Sequence, residues 1–228
     1  PDMTEARTAD FMNIVRKNML EGRWSDECGR CKQEEESGLR SRRQYEQQWD
    51  FKYEDAVKVT NDDGSIDPDK VPLIYYDLRF GNLCNLKCAM CSPYNSSRIA
   101  KEYDDMLSNG INHELIKRKT PNVNAWYEDD NILSSVAKQM NDMTLIKFSG
   151  GEPTVNSYLA NFLKQIDNKR VRIQITTNGN NWPQKLHDEV AKFNTVKITV
   201  SLDGYGKVNE YIRYPSNWKK ITSNLLKM

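Results

Sequence analysis

From Leu73 onward, short runs rich in β-branched and aromatic residues alternate with apolar stripes at helical spacing, and this alternation limits the fold more than any other feature. Leu73–Phe80, Thr144–Phe148, Val171–Thr176 and Val196–Leu202 read as strands, each followed by a turn containing glycine. Leu159, Phe162, Leu163 and Ile166 make a helical stripe between the second and third runs. Leu186, Val190 and Phe193, after Pro183, make another between the third and fourth. Strands that start about 25 residues apart with a helix between them run parallel, because the helix carries the chain back to the same end of the sheet. The fold class is therefore α/β, a partial (β/α) barrel or an open doubly wound sheet. Trp218, Ile221 and Leu225 begin a further helix that runs to Met228. Four parallel strands alone leave a raw edge, so the natural chain is expected to continue past Met228. The start at Pro1, without a methionine, points to a missing beginning.

The stretch from Ser92 to Met143 is too long for one crossover and is expected to hold two helices, near Ser96–Leu107 and Trp126–Met140, around a loop with Pro121. Upstream, Met12, Val15 and Met19 fall at helical spacing within residues 4–20, and Gly22 is a helix stop. Residues from Glu34 to Gln48 are almost wholly polar, as in a solvated helix or surface arm. Asn61-Asp62-Asp63-Gly64-Ser65, followed by Pro68 and Pro72, is the clearest turn-rich stretch. It sets the expected boundary between an N-terminal appendage, residues 1–68, and the main domain, residues 69–228.

Thirty-three basic residues against thirty-two acidic ones leave a net charge of +1, which favours neither nucleic acid nor an anionic membrane. No apolar run approaches the roughly 18 residues of a membrane span, and the N-terminus lacks the basic and apolar segments of a secretory signal. Five cysteines fall in two clusters, Cys28/Cys31 and Cys84/Cys88/Cys91. An odd, clustered set suits metal ligation in a reducing cytoplasm better than a disulfide framework.

The second cluster, Gly81-Asn82-Leu83-Cys84-Asn85-Leu86-Lys87-Cys88-Ala89-Met90-Cys91, is a Cys-x3-Cys-x2-Cys loop directly after the first strand. The carboxyl ends of parallel strands are where such folds bind ligands. Three thiolates in one tight loop suit a [4Fe–4S] cluster with one iron left open, since four cysteines hold a closed one. A zinc knuckle is the rival reading, but closed zinc sites want four ligands, usually in two spaced pairs, and the nearest histidine is the distant His113.

The loop resembles the signature of the radical S-adenosylmethionine (SAM) superfamily, Cys-x3-Cys-x-Φ-Cys after the first strand of a partial (β/α) barrel. Met90 stands at the usually aromatic Φ position, a departure that keeps an apolar side chain. The next strand ends in Gly150-Gly151-Glu152-Pro153, similar to the superfamily's GGEP motif, which by resemblance holds the amino group of SAM. Thr177 and Asn178 at the third strand end, and Ser201 and Asp203 at the fourth, resemble the positions that meet ribose and carboxylate. Ordinary turn chemistry is the alternative for both strand ends, an equal one for Thr177 and Asn178. Ser201, Asp203 and the later Arg213 fit a Ser-x-Asp-Gly…Arg pattern of the subgroup with peptide-modifying members, and an arginine there could clamp a carboxylate, an exposed ion pair being the equal alternative. His113 and His187 read as surface residues, and Tyr75, Tyr76, Trp126, Tyr127 and Trp182 as core or pocket wall.

Cys28-Gly29-Arg30-Cys31 is too small for a closed metal site. Its surroundings, Met19–Trp24 and Lys32–Arg43, resemble the twitch-domain, SPASM-like branch of the superfamily. That resemblance implies an auxiliary iron–sulfur cluster involving Cys28 and Cys31; a zinc or redox pair and unligated thiols are the other readings. The resemblance as a whole implies a fragment of a cytoplasmic enzyme. Its [4Fe–4S] cluster would cleave SAM to a 5′-deoxyadenosyl radical that takes hydrogen from a peptide or protein. A flavodoxin- or ferredoxin-type partner would supply the electron. The alternative from a different class is a non-catalytic iron–sulfur or zinc interaction module.

Overall fold

The computed structural model describes residues 3–46, 52–71, 73–111, 125–140 and 143–228. The chain divides into two compact units, Pro1–Pro72 and Leu73–Met228. The first unit is helical: α1 (Met3–Thr8), α2 (Asp10–Leu20), α3 (Gly29–Glu36), α4 (Arg42–Glu46) and α5 (Tyr53–Lys58). The single helix expected over residues 4–20 breaks at Ala9, whose ψ of 144° is extended. Thr8 bonds its hydroxyl back to Thr4 O at 2.9 Å, a competitor for helical continuation. The turn around Gly64 seats on α2: Arg16 Nε donates to Gly64 O at 2.7 Å. A Cβ at Gly64 would lie 1.9 Å from Asn13 O, so the close approach requires glycine.

The second unit carries β1 (Tyr75–Arg79), α6 (Ser97–Ser108), α7 (Asp130–Gln139), β2 (Leu145–Ser149), α8 (Ser157–Lys164), β3 (Arg172–Thr177), α9 (Gln184–Val190), β4 (Val196–Val200), α10 (Lys207–Ile212) and α11 (Trp218–Leu225). The four strands form one parallel sheet in the order β1-β2-β3-β4. The α/β class expected from the alternation is what folds. Strand limits shift by one or two residues, and β4 stops at Val200 because the chain turns off at Asp203, whose N–H donates to Asn209 Oδ1 at 3.0 Å. The helix expected over Trp126–Met140 is a 3-10 turn, Trp126–Glu128, followed by α7, because the Asp129 side chain caps the N–H groups of Asn131 and Ile132. His113 and Pro121 lie outside the described residues.

One face of the sheet is apolar. Ile146, Phe148, Ile173 and Ile175 are at most 1% exposed, as are Leu159, Phe162 and Leu163 on α8 and Ile166 just beyond it, and Phe148 packs edge-on against Phe162 with centroids 5.9 Å apart. Each such side chain contributes about 1.5–3 kcal/mol on burial. Phe80, just past β1, packs edge-on against Phe162 with centroids 5.6 Å apart, which fixes the start of the cysteine loop to the core. Among the described residues, no helix is long and apolar enough to cross a membrane.

Candidate functional site

The cysteine loop leaves β1 through Gly81 and is tied down along its length. Cys84 N donates to Ser97 Oγ at 3.2 Å, Ser96 Oγ donates to Leu86 O at 2.7 Å, and Arg98 donates to Asn85 O at 2.8 Å, so the first turn of α6 braces the loop. From the far end of the sheet, Lys87 N and Ala89 N donate to Tyr214 O and Ile212 O at 2.5 and 2.8 Å. The glycine turn after β2 closes from a third side, where Glu152 N donates to Leu83 O at 2.8 Å. Gly151 has φ +54°, and a Cβ there would stand 2.4 Å from Leu83 O. Only glycine lets the two loops meet so closely.

These loops enclose a cavity of about 310 Å³ at the carboxyl ends of the strands. Of the residues expected to form the site, Cys84, Cys88, Cys91, Gly150, Gly151, Glu152, Thr177, Asn178, Ser201 and Arg213 line it. Pro153 and Asp203 do not. Pro153 is buried at the start of the 3-10 turn that follows, and Asp203 acts from behind Arg213. Arg213 Nε approaches Asp203 Oδ2 to 2.6 Å, yet has no aligned hydrogen-bond acceptor, so the contact is an ion pair without a directed bond. Ser92, Asn95, Ser149 and Thr176 also line the cavity. The strand period reveals the last two, because each stands two residues from another position on the same face.

Glu152 is only 2% exposed and joins three elements. Its Oε1 accepts from Thr154 N, Thr154 Oγ1 and Thr177 Oγ1 at 3.1, 2.7 and 2.6 Å, and its Oε2 accepts from Asn178 N at 2.6 Å. Burial pushes its pKa up, while these donors oppose that shift. Asn178 Nδ2 in turn donates to Asn85 Oδ1 at 2.8 Å, returning the network to the cysteine loop.

The three thiols are free and half-buried. Burial pushes the Cys84 thiol up to about 11, opposed by a hydrogen bond from Leu86 N–H and reinforced by Glu152 and the other two thiols. Burial also raises Cys88, and the Arg213 guanidinium pulls it back. Among the described residues, no three His, Cys, Asp or Glu side chains gather tightly enough to hold a single metal ion. Cys84, Cys88 and Cys91 all line the one cavity, and Leu86 N–H donates to Cys84 Sγ at 3.5 Å.

In the first unit, Cys28 is the N-cap of α3 and Cys31 lies in its first turn. Near them Arg43 sits over the Trp24 ring, 4.7 Å from its centroid, and pairs with Glu35 at 2.5 Å. His187 is partly exposed on α9 and accepts from Trp182 Nε1 at 3.3 Å.

No curated protein matches the chain. Among solved structures, SuiB of Streptococcus suis bound to precursor peptide SuiA is 19% identical, with a TM-score of 0.43 over 67% of this chain and 29% of that one. Native anSMEcpe with bound AdoMet is 20% identical, with a TM-score of 0.44 over 68% and 41%. SuiB of Streptococcus suis bound to S-adenosylmethionine is 18% identical, with a TM-score of 0.44 over 87% and 40%. The chain thus spans less than half the length of each of these proteins. A family model described as the radical SAM superfamily matches residues 78–228, from the first strand through the cysteine loop, the glycine turn and Arg213. The chain belongs to the radical SAM superfamily.

Proposed function

We propose that this protein is a radical SAM enzyme in which Cys84, Cys88 and Cys91 hold a [4Fe–4S] cluster. The observation that carries the reading is the convergence of these three thiols, the Gly150-Gly151 turn and the ends of β3 and β4 on one cavity. When bound, the cluster supplies the electron that splits SAM into methionine and a 5′-deoxyadenosyl radical, which takes a hydrogen atom from substrate.

The remaining work falls to the chain's own residues. Glu152 already accepts four hydrogen bonds, so it fixes the glycine turn and leaves backbone carbonyls there to receive the SAM ammonium group. Thr177 and Asn178 face the ribose. Ser201 and Arg213 take the SAM carboxylate, with Asp203 holding Arg213 in place. Pro153 shapes the turn from behind. A peptide or protein substrate and a one-electron donor of the flavodoxin or ferredoxin type complete the proposal, as does a cytoplasmic location. Cys28 and Cys31 would supply two ligands to an auxiliary cluster.

Paramagnetic resonance of the reduced, anaerobically reconstituted protein tests the open site. Adding SAM is expected to change the signal of the reduced cluster. A signal indifferent to SAM would contradict the proposal.

A further inference from the structure

Cys28, Cys31 and Glu35 follow one another at intervals of three and four residues along α3, a spacing that sets all three on one face of the helix. Both thiols are free and half-buried. Two soft sulfur donors within one helical turn are half of the four cysteines that hold a closed iron–sulfur cluster, so they fit the auxiliary cluster proposed above.

That face also receives a cation from the first turn of α4. Arg43 Nε and Nη2 donate to Glu35 Oε1 and Oε2 at 3.1 and 2.5 Å, and the guanidinium lies over the Trp24 ring, 4.7 Å from its centroid. Glu35 is held in turn by Ser41, which is fully buried and donates its hydroxyl to Oε1 at 2.5 Å. An exposed ion pair on its own contributes little, because two long side chains must be ordered to make it. Here the two-pronged bonding, the aromatic face and Ser41 do that ordering. The cations beside the thiols in sequence belong to other stripes of α3: Arg30 pairs with Glu34 at 3.0 Å and Lys32 with Glu36 at 3.8 Å. The Arg43 pKa is raised, first by the Glu35 hydrogen bond and then by the charges of Glu35, Cys31 and Cys28, with burial opposing. The guanidinium is thus within electrostatic reach of both sulfurs.

The potential of a thiolate-held cluster follows the net charge and the hydrogen bonds around its sulfurs. A cation fixed beside two of those sulfurs favours the added electron. We infer that Arg43 is a positioning residue of the Cys28–Cys31 site, one whose fixed charge raises the reduction potential of the cluster bound there. The inference rests on the auxiliary-cluster reading and names the regulation of that same site.

Reductive titration with dithionite, followed by paramagnetic resonance, tests this on the anaerobically reconstituted chain carrying Cys84→Ala, Cys88→Ala and Cys91→Ala, so that the signal read is that of the Cys28–Cys31 site. One electron passes from dithionite to the cluster, and no bond is made or broken. Arg43→Gln is expected to shift the reduced-to-oxidised ratio about tenfold toward oxidised, equivalent to a midpoint about 59 mV lower for a one-electron couple. Arg43→Lys, which keeps the charge, should recover most of that loss. Glu35→Gln keeps an acceptor for Arg43 and Ser41 but removes the negative charge, so it should move the midpoint upward. Should Arg43→Gln bind no iron, the direction of the Glu35→Gln shift decides. A merely structural role for the Glu35–Arg43 pair would move both variants the same way; that result, or midpoints unchanged in both, would overturn the inference while leaving the auxiliary cluster in place. Absence of any signal that depends on Cys28 and Cys31 would overturn the auxiliary-cluster reading itself, and the inference with it.

Discussion

The hydroxyl of Thr177 donates to Glu152 Oε1 at 2.6 Å, joining the ends of two neighbouring parallel strands through one buried carboxylate. Glu152→Gln would set an amide N–H₂ against donors that have nowhere to turn, above all Asn178 N–H. The expected cost is about 1–3 kcal/mol, the penalty for leaving a buried donor unpaired. Chemical denaturation of the metal-free protein measures it, and an unchanged midpoint would show that the network does not brace the fold.

Gly150 and Gly151 are expected to respond differently to alanine. At Gly150 the new methyl meets Arg79 Cβ, Cγ and Cδ at 3.1–3.3 Å, a tight approach to one side chain, whereas at Gly151 it meets the cysteine-loop backbone at 2.4 Å. Gly150→Ala should cost about 1–2 kcal/mol for its left-handed backbone and still accept iron. Gly151→Ala should displace the loop and lower the iron and sulfide bound per chain after reconstitution. Equal iron content in the two variants would contradict the packing argument.

The raised Cys84 thiol has a pH consequence in metal-free protein. Its folded pKa of about 11 lies above the ordinary thiol value of about 8.5. The stability it contributes is therefore full below the ordinary value and lost as pH rises toward the folded one, because the unfolded chain ionises first. Denaturation midpoints should fall across that window, and fall less in Cys84→Ala. Parallel curves for the two proteins would contradict the assignment.

Arg213 lies beside Cys88 and is paired with Asp203. Asp203→Asn removes the counter-charge while keeping the shape, and should weaken SAM binding by about tenfold, the scale of one charge-assisted contact. Calorimetric titration of SAM into the reconstituted protein reads this directly; unchanged affinity would leave Asp203 without a positioning role.

Much of this was legible in the residues. The β-branched runs and the Leu159-Phe162-Leu163-Ile166 stripe carry the parallel sheet, because period-2 and period-3.6 patterns have few alternative readings. The cysteine loop and glycine turn were legible because each has a strand directly before it. What escaped was cooperative. Nothing local in Glu152 shows that its carboxylate is consumed by Thr154, Thr177 and Asn178, nor does Asp203 by itself show that it stands behind Arg213 and outside the cavity. The break at Ala9 and the cap at Asp129 were missed because each depends on one side chain finding a nearby backbone group.

The most direct test is the yield of 5′-deoxyadenosine from anaerobically reconstituted, reduced protein supplied with SAM, beside a Cys88→Ala variant. The wild-type chain should form the product and the variant should not. Product from both in equal amount, or from neither when the wild-type chain carries its full complement of iron, would contradict a SAM-cleaving cluster at these three cysteines.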